Sequence, residues 1–384
     1  MTDSVRAVRD DAPQRARHAS RAAFISNELF RTEHFGSHHP LSIPRQSAVL
    51  DVCFSLGWLN PEQVVACTAA NEETLTRFHD PGYVHALQRA CVEQKVSRES
   101  RERFHIGTME NPVFAGLYER ASTVVGGSIN AARLALDGGI AFHPAGGTHH
   151  GRPDRAAGFC YLNDPVFAIY TLLDEGLRRV AYIDLDAHHG DGVQDAFASD
   201  ARVMTVSIHE ESRWPGTGKL EDRGGGQARN LPVPSGFNDS EMAYLIEQAL
   251  VPLLDNFEPE ALVITCGADP LMADPLSGMA LSNQALWDAV ITLSNLSERN
   301  VILGGGGYNP WTVVRCWAGL WGKLTDQALP DRLPEEVIGL LKTFECDLVD
   351  DEEIQPGWFE TLQDPYRWGP LRPEIARLAE IVLQ

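Results

Sequence analysis

The arrangement that most constrains this chain is an alternation. Six short β-branched or apolar runs, at 22–26, 140–143, 180–184, 203–208, 261–266 and 301–303, are separated by stretches long enough for helices. Amphipathic patterns at 123–136, 166–175, 240–254 and 284–296 lie between them. Strands joined through helices do not pair as hairpins but enter one sheet side by side. The pattern therefore predicts an α/β fold with a central, mostly parallel sheet covered by helices on both faces. Residues 1–20 are charged and lack an apolar period, and they read as a disordered arm. From about Leu329 the chain mixes helix with an acidic loop at 347–353 and is expected to pack on the outside.

A length of 384 residues alone suggests two domains. The placement of the polar residues argues for one, spanning 21–384. In such sheets ligands bind beyond the carboxyl ends of the strands. His149 and His150 follow the run at 140–143, the segment 186–191 follows 180–184, Asp269 follows 261–266, and Tyr308 follows 301–303. Four strands thus deliver their unusual residues to one edge.

Composition narrows the function classes. The formal net charge is −21, from 53 acidic and 32 basic residues. A surface this acidic repels phosphate backbones, which argues against direct nucleic-acid binding, and attracts cationic molecules such as polyamines or lysine-rich peptides. It also serves solubility. The seven cysteines are scattered with no CxxC, which fits free thiols in a reducing cytoplasm rather than a disulfide framework. The N-terminus carries no secretory pattern, and no stretch approaches the roughly 20 apolar residues of a membrane span.

The segment Tyr182-Ile-Asp-Leu-Asp-Ala-His-His-Gly-Asp-Gly192 carries the chemistry. Alternate residues of an extended chain share a face, so Asp184, Asp186 and His188 point the same way. Two carboxylates and an imidazole at a buried strand end require a compensating cation. Asp186 and His188 are natural ligands, with Asp269 arriving from another strand as the third. Three protein ligands with one open position is the layout of a catalytic metal centre, and this donor set suits zinc, iron(II), cobalt or manganese. In Pro144-Ala-Gly-Gly-Thr-His-His150 the paired histidines can act as general acid and base, with Asp184 and Asp191 as spare carboxylates to orient them. Gly304-Gly-Gly-Gly-Tyr308 lacks the Lys-Ser/Thr of a phosphate cradle, as Pro215-Gly-Thr-Gly-Lys219 lacks its hydroxyl; a glycine run presenting a tyrosine hydroxyl is the better reading. Cys160 reads as a small core residue.

Together with His39-Pro-Leu-Ser-Ile-Pro-Arg45, Gly107-Thr-Met-Glu-Asn-Pro112, Gly158-Phe-Cys-Tyr-Leu-Asn-Asp164 and Cys266-Gly-Ala-Asp269, these segments resemble the histone deacetylase family of the arginase–deacetylase superfamily, most nearly its bacterial class I-like members. The resemblance runs over nearly the whole chain after the arm. It implies a zinc-dependent amidohydrolase that removes acetyl or other acyl groups from lysine side chains, with Fe²⁺ or Co²⁺ as substitutes for Zn²⁺. It implies zinc on Asp186, His188 and Asp269, His150 as general base and then acid, His149 beside it, and Asp184 and Asp191 as their partners. Tyr308 would polarise the scissile carbonyl. Phe159, Trp214 and Leu276 would line the substrate tunnel and its rim, Gly158 would offer its carbonyl, and Glu110 would hydrogen-bond substrate backbone. Arg45 would line an internal channel, and a structural K⁺ would sit near Asp184, Asp186, His188, Ser207 and Ile208. Trp214 stands where phenylalanine is commoner, and the loop 209–213 before it is short. The alternatives are an acetylpolyamine amidohydrolase, a catalytically inactive acyl-lysine binder, and a two-metal hydrolase of arginase type. Neither an oligomer nor a particular substrate is specified.

Overall fold

A computed structural model of the chain describes residues 12–32, 35, 36 and 38–384. Eight strands form one sheet: β1 (Ala23–Ser26), β2 (Val64–Ala66), β3 (Gly139–His143), β4 (Val180–Asp184), β5 (Val203–Glu210), β6 (Ala228–Val233), β7 (Ala261–Thr265) and β8 (Arg299–Leu303). Their order is β2-β1-β3-β8-β7-β4-β5-β6, and every pair is parallel. The expected α/β architecture is the observed one.

The period of two sorts the strands' side chains into two cores. Phe24, Phe142, Ile302, Ile264, Ile183 and Val206 pack on one face, beneath the helices Arg45–Ser55, Asn283–Ser294 and Pro310–Leu324. Their neighbours Ile25, Ala141, Val301, Val263 and Tyr182 face the other way, onto Leu117–Ala135 and Asp164–Asp174. Strands buried on both faces read as continuous apolar runs, which is why the central six are visible in the sequence. The two edge strands are not. β2 is three residues long and only partly buried, and β6 carries Arg229, Asn230 and Pro232, a composition an edge tolerates.

Two expectations are corrected. Residues 12–20 of the supposed disordered arm form the helix Ala12–Ser20. It packs against β3, buries His18, and its Gln14 Nε2 donates to Ser297 O at 3.2 Å; residues 1–11 lie outside the described residues. The single helix expected at 240–254 is broken into Asp239–Leu245, a π-helical turn at Ile246–Leu250, and Val251–Phe257. Pro252 has no N–H to donate and crowds the preceding turn, which favours such a bulge. Among the described residues no helix is long and apolar enough to cross a membrane.

Candidate active site

The carboxyl ends of β3, β4, β7 and β8 meet in the middle of the sheet, and the residues that follow them converge. Asp186, His188 and Asp269 are buried, and their ligand atoms lie within 4.8 Å of one another. His188 Nδ1 is 2.9 Å from Asp269 Oδ2 and 3.2 Å from Asp186 Oδ1. Backbone amides fix the free oxygens: Gly306 N donates to Asp186 Oδ2 at 2.6 Å and Ala187 N to Asp269 Oδ1 at 2.9 Å. A Cβ at Gly306 would stand 2.1 Å from Asp269 Oδ2, so only glycine permits this approach.

The electrostatics of the cluster fit a cation. Burial and the charge of Asp186 push Asp269 up to about 6. Burial works against a charge on His188, yet the two carboxylates outweigh it and hold a proton there well above the usual imidazole range. A group of acids that draws a proton onto a buried imidazole is short of positive charge, and a divalent ion in its place supplies it.

Beside the cluster stand two histidine–aspartate pairs. His149 Nδ1 donates to Asp184 Oδ2 at 2.7 Å, and His150 Nδ1 to Asp191 Oδ1 at 2.9 Å. A carboxylate only accepts, so each Nδ1 carries the proton and each Nε2 is left facing the centre. The pairs differ in charge. Asp184 and Asp186 overcome the burial of His149 and raise it to about 9. Burial and the neighbouring His149 lower His150 to about 3 against the pull of Asp191, so its Nε2 lone pair is available at neutral pH. Tyr182 OH and the Asp186 amide complete the shell of Asp184.

Tyr308 is buried, and its ring lies 6.4 Å from His188 and 5.9 Å from Phe159. Burial and the charges of Asp269 and Asp186 push its hydroxyl well above the usual range, so it remains an O–H donor. Trp214 meets His150 in a T-shaped pair with ring centroids 4.6 Å apart and is half exposed. It also closes on Gly158, where a Cβ would meet the indole at 2.3 Å. Trp214, Gly158 and Phe159 therefore gather beside the Asp186–His188–Asp269 cluster and His150. Glu110 is close by, but its Oε1 accepts the Gly158 amide at 2.7 Å. Leu276 is half-buried on a neighbouring loop. Ser207 lies opposite Asp184 in the β4–β5 register, with Ile208 next to it.

Arg45 is the residue set apart. Its Nη1 donates to Gly305 O and Gly307 O at 2.8 and 3.2 Å from behind the glycine loop, where it lines a cavity with Phe35, Leu41 and Phe159.

Sequence reading missed the residues that hold the histidine loop. Asp164 accepts the amides of Gly147 and Thr148 at 3.0 and 2.7 Å. Asn163 Nδ2 donates to His149 O and Gly151 O at 3.1 and 2.9 Å. Asn-Asp-Pro before an apolar helix reads only as a cap, which Asn163 also is. Arg152, whose guanidinium pairs with Asp191 and Asp195, was equally silent.

His79 supports Asn163 and leads to a prediction. Its Nδ1 donates to Arg152 O at 3.0 Å, and its Nε2 accepts the Asn163 amide at 3.1 Å, an arrangement only neutral imidazole can make. Burial lowers it to about 4. The unfolded chain, near 6.5, binds more protons below that pH, so this contribution is complete above pH 6.5 and lost as pH falls to 4. The loss amounts to about 3 kcal/mol. Denaturant unfolding at pH 7.5 and 4.5 should give a smaller drop for His79→Gln than for wild type; equal drops would contradict the assignment.

Comparison with known proteins gives one answer. The histone deacetylase domain model matches residues 39–324. Histone deacetylase B of Dictyostelium discoideum is 35% identical over 309 residues, 78% of this chain and 72% of that one. The putative histone deacetylase 2 of Caenorhabditis elegans is 36% identical over 78% of this chain and 61% of its own length, so this chain spans just under two thirds of that relative. The acetoin utilization protein AcuC of Staphylococcus aureus is 30% identical over 94% of both chains. Among solved structures, an HDAC homolog from Aquifex aeolicus superposes with a TM-score of 0.90 at 35% identity, covering 94% of this chain and 100% of that one. On these grounds the chain belongs to the histone deacetylase family.

Proposed function

We propose that the protein is a zinc-dependent deacylase acting on acylated lysine side chains of peptides or proteins. The observation that carries this reading is the juxtaposition of the Asp186–His188–Asp269 cluster with His150 and Tyr308 under an aromatic wall. Asp186, His188 and Asp269 would hold a zinc ion, which would supply Lewis-acid polarisation of the scissile carbonyl and a water acidic enough to lose its proton near neutral pH. His150 Nε2 takes the proton from the attacking water and returns it to the departing amine. His149, held by Asp184, adds positive charge beside the developing oxyanion. The Tyr308 O–H donates to that oxygen. Phe159 and Trp214 would exclude water along an uncharged alkyl stem, and the Gly158 carbonyl and the second oxygen of Glu110 would take the substrate amide. Arg45 is assigned to the internal cavity.

A buried K⁺ among Asp184, Asp186, His188, Ser207 and Ile208 is part of the proposal. It is supported by the facing of Asp184, the last residue of β4, and Ser207 of β5. The free state of all seven cysteines fits a reducing cytoplasm.

The net charge of −21 favours a cationic remainder on the substrate, which keeps acylated polyamines as a second reading. A panel of acetyl-, propionyl-, butyryl- and trifluoroacetyl-lysine peptides with acetylspermidine, run on zinc-loaded protein, tests both. Peptides turned over faster than acetylspermidine support the first reading, and the reverse order supports the second. Zinc binding without hydrolysis of any member would leave an acyl-lysine binder.

A further inference from the structure

The loop that carries Leu276 is strapped at both ends by buried carboxylates with no part in the chemistry above. At its start, Asp274 Oδ2 accepts the amide of Tyr308 at 2.8 Å, and Oδ1 accepts that of Leu276 at 2.9 Å. One side chain thus fixes the catalytic tyrosine's backbone relative to the tunnel rim. At its end, Glu210 Oε2 accepts the amide of Gly278 at 2.7 Å. The same carboxylate takes the Arg213 guanidinium in a fork, Nε at 2.5 Å and Nη2 at 2.8 Å. Arg213 is the residue before Trp214. Glu210, at the end of β5, therefore ties the tryptophan wall to the leucine wall.

Both ties are built closely. A Cβ at Gly278 would stand 2.7 Å from Glu210 Oε1, so glycine is what lets the amide reach the acid. Burial opposes the charge of Glu210, but Arg213 and the Gly278 amide hold it below the usual carboxylate range. A carboxylate that accepts amide and guanidinium bonds out of water is a stiff link, because breaking it leaves a buried charge unpaired.

We propose that Glu210 and Asp274 are positioning residues with separate roles. Glu210 sets the gap between Trp214 and Leu276 and hence which substrates pass the mouth, and Asp274 sets where Tyr308 stands. The assignment rests on the deacylase reading. It makes Glu210 and Arg213 a specificity device built into the loop before Trp214.

The two roles separate in kinetics, whereas a general loss of structure would move every parameter together. In zinc-loaded protein, Glu210→Gln should raise KM for an acetyl-lysine peptide roughly tenfold with little change in kcat. It should also weaken an alkyl-stem hydroxamate by the same factor. Asp274→Asn keeps one acceptor and turns the other into a donor facing an N–H. It should lower kcat roughly tenfold to hundredfold with little change in KM. Both variants should retain wild-type zinc content. If Glu210→Gln does not fold, Arg213→Gln reports the same strap from its more exposed end. Equal shifts of kcat and KM in both variants, no shift in either, or zinc loss from Asp274→Asn would overturn the proposal. Should the wild type hydrolyse no acylated amine, the deacylase reading falls first. Hydroxamate affinity then still decides the mouth, and an unchanged Kd in Glu210→Gln refutes it.

Discussion

Tyr308→Phe is expected to lower turnover of an acylated lysine by about 10²–10³ while leaving metal content and fold intact. Among the described residues no protein group bonds to the Tyr308 hydroxyl, so its removal strands no partner. The ring still packs against Phe159. What is lost is a donor that matters only when negative charge develops on the carbonyl oxygen, so kcat should fall far more than KM rises. Single-turnover rates with zinc assayed on the same sample check this. A variant within threefold of wild type would remove Tyr308 from the chemistry.

The second large effect concerns the cluster itself. Asp269→Asn should lose bound metal and activity together, yet leave the metal-free protein no less stable than wild type. The sign follows from the charges. Burial and Asp186 already make an ionised Asp269 costly, pushing it up to about 6, and an amide removes that repulsion. The oxygen of the introduced amide can still accept the Ala187 N–H, which Asp269 Oδ1 accepts at 2.9 Å, and its NH₂ then faces His188 Nδ1, which accepts it once the imidazole releases the proton that the second carboxylate helped to hold. With metal at a hundred times its Kd the wild type should gain about 2.7 kcal/mol of stability, and the variant close to none. Unfolding with and without chelator, alongside elemental analysis, measures both. Retained metal in the variant would contradict the ligand assignment.

Much of this is legible in the amino-acid sequence, for a physical reason. Central parallel strands are buried on both faces and so announce themselves as apolar runs, and β3, β4, β5, β7 and β8 appear within two residues of their expected limits. The convergence of Asp186, His188, Asp269 and both histidines was legible because acids and imidazoles at the ends of such strands have no cheaper explanation than a site. The edge strands β2 and β6 were hidden by partial exposure and polar composition. The braces Asp164, Asp274, Glu210 and Arg152 were hidden for another reason: most of their partners are backbone amides or side chains distant in sequence. Asp164 reaches Gly147 over 17 positions and Arg152 reaches Asp195 over 43, and no local pattern records such partners. The resemblance drew attention to Glu110, but nothing in the sequence records its bond to the Gly158 amide.

The central claim is that the three-ligand cluster, His150 and Tyr308 form one hydrolytic centre. The most direct test is to incubate zinc-reconstituted protein with an acetyl-lysine peptide and quantify acetate and free lysine amine in the same sample. The account predicts equal amounts of both, abolished by chelation, restored by zinc and nearly absent in Tyr308→Phe. An intact peptide after prolonged incubation, or release that survives both chelation and Tyr308→Phe, would contradict it.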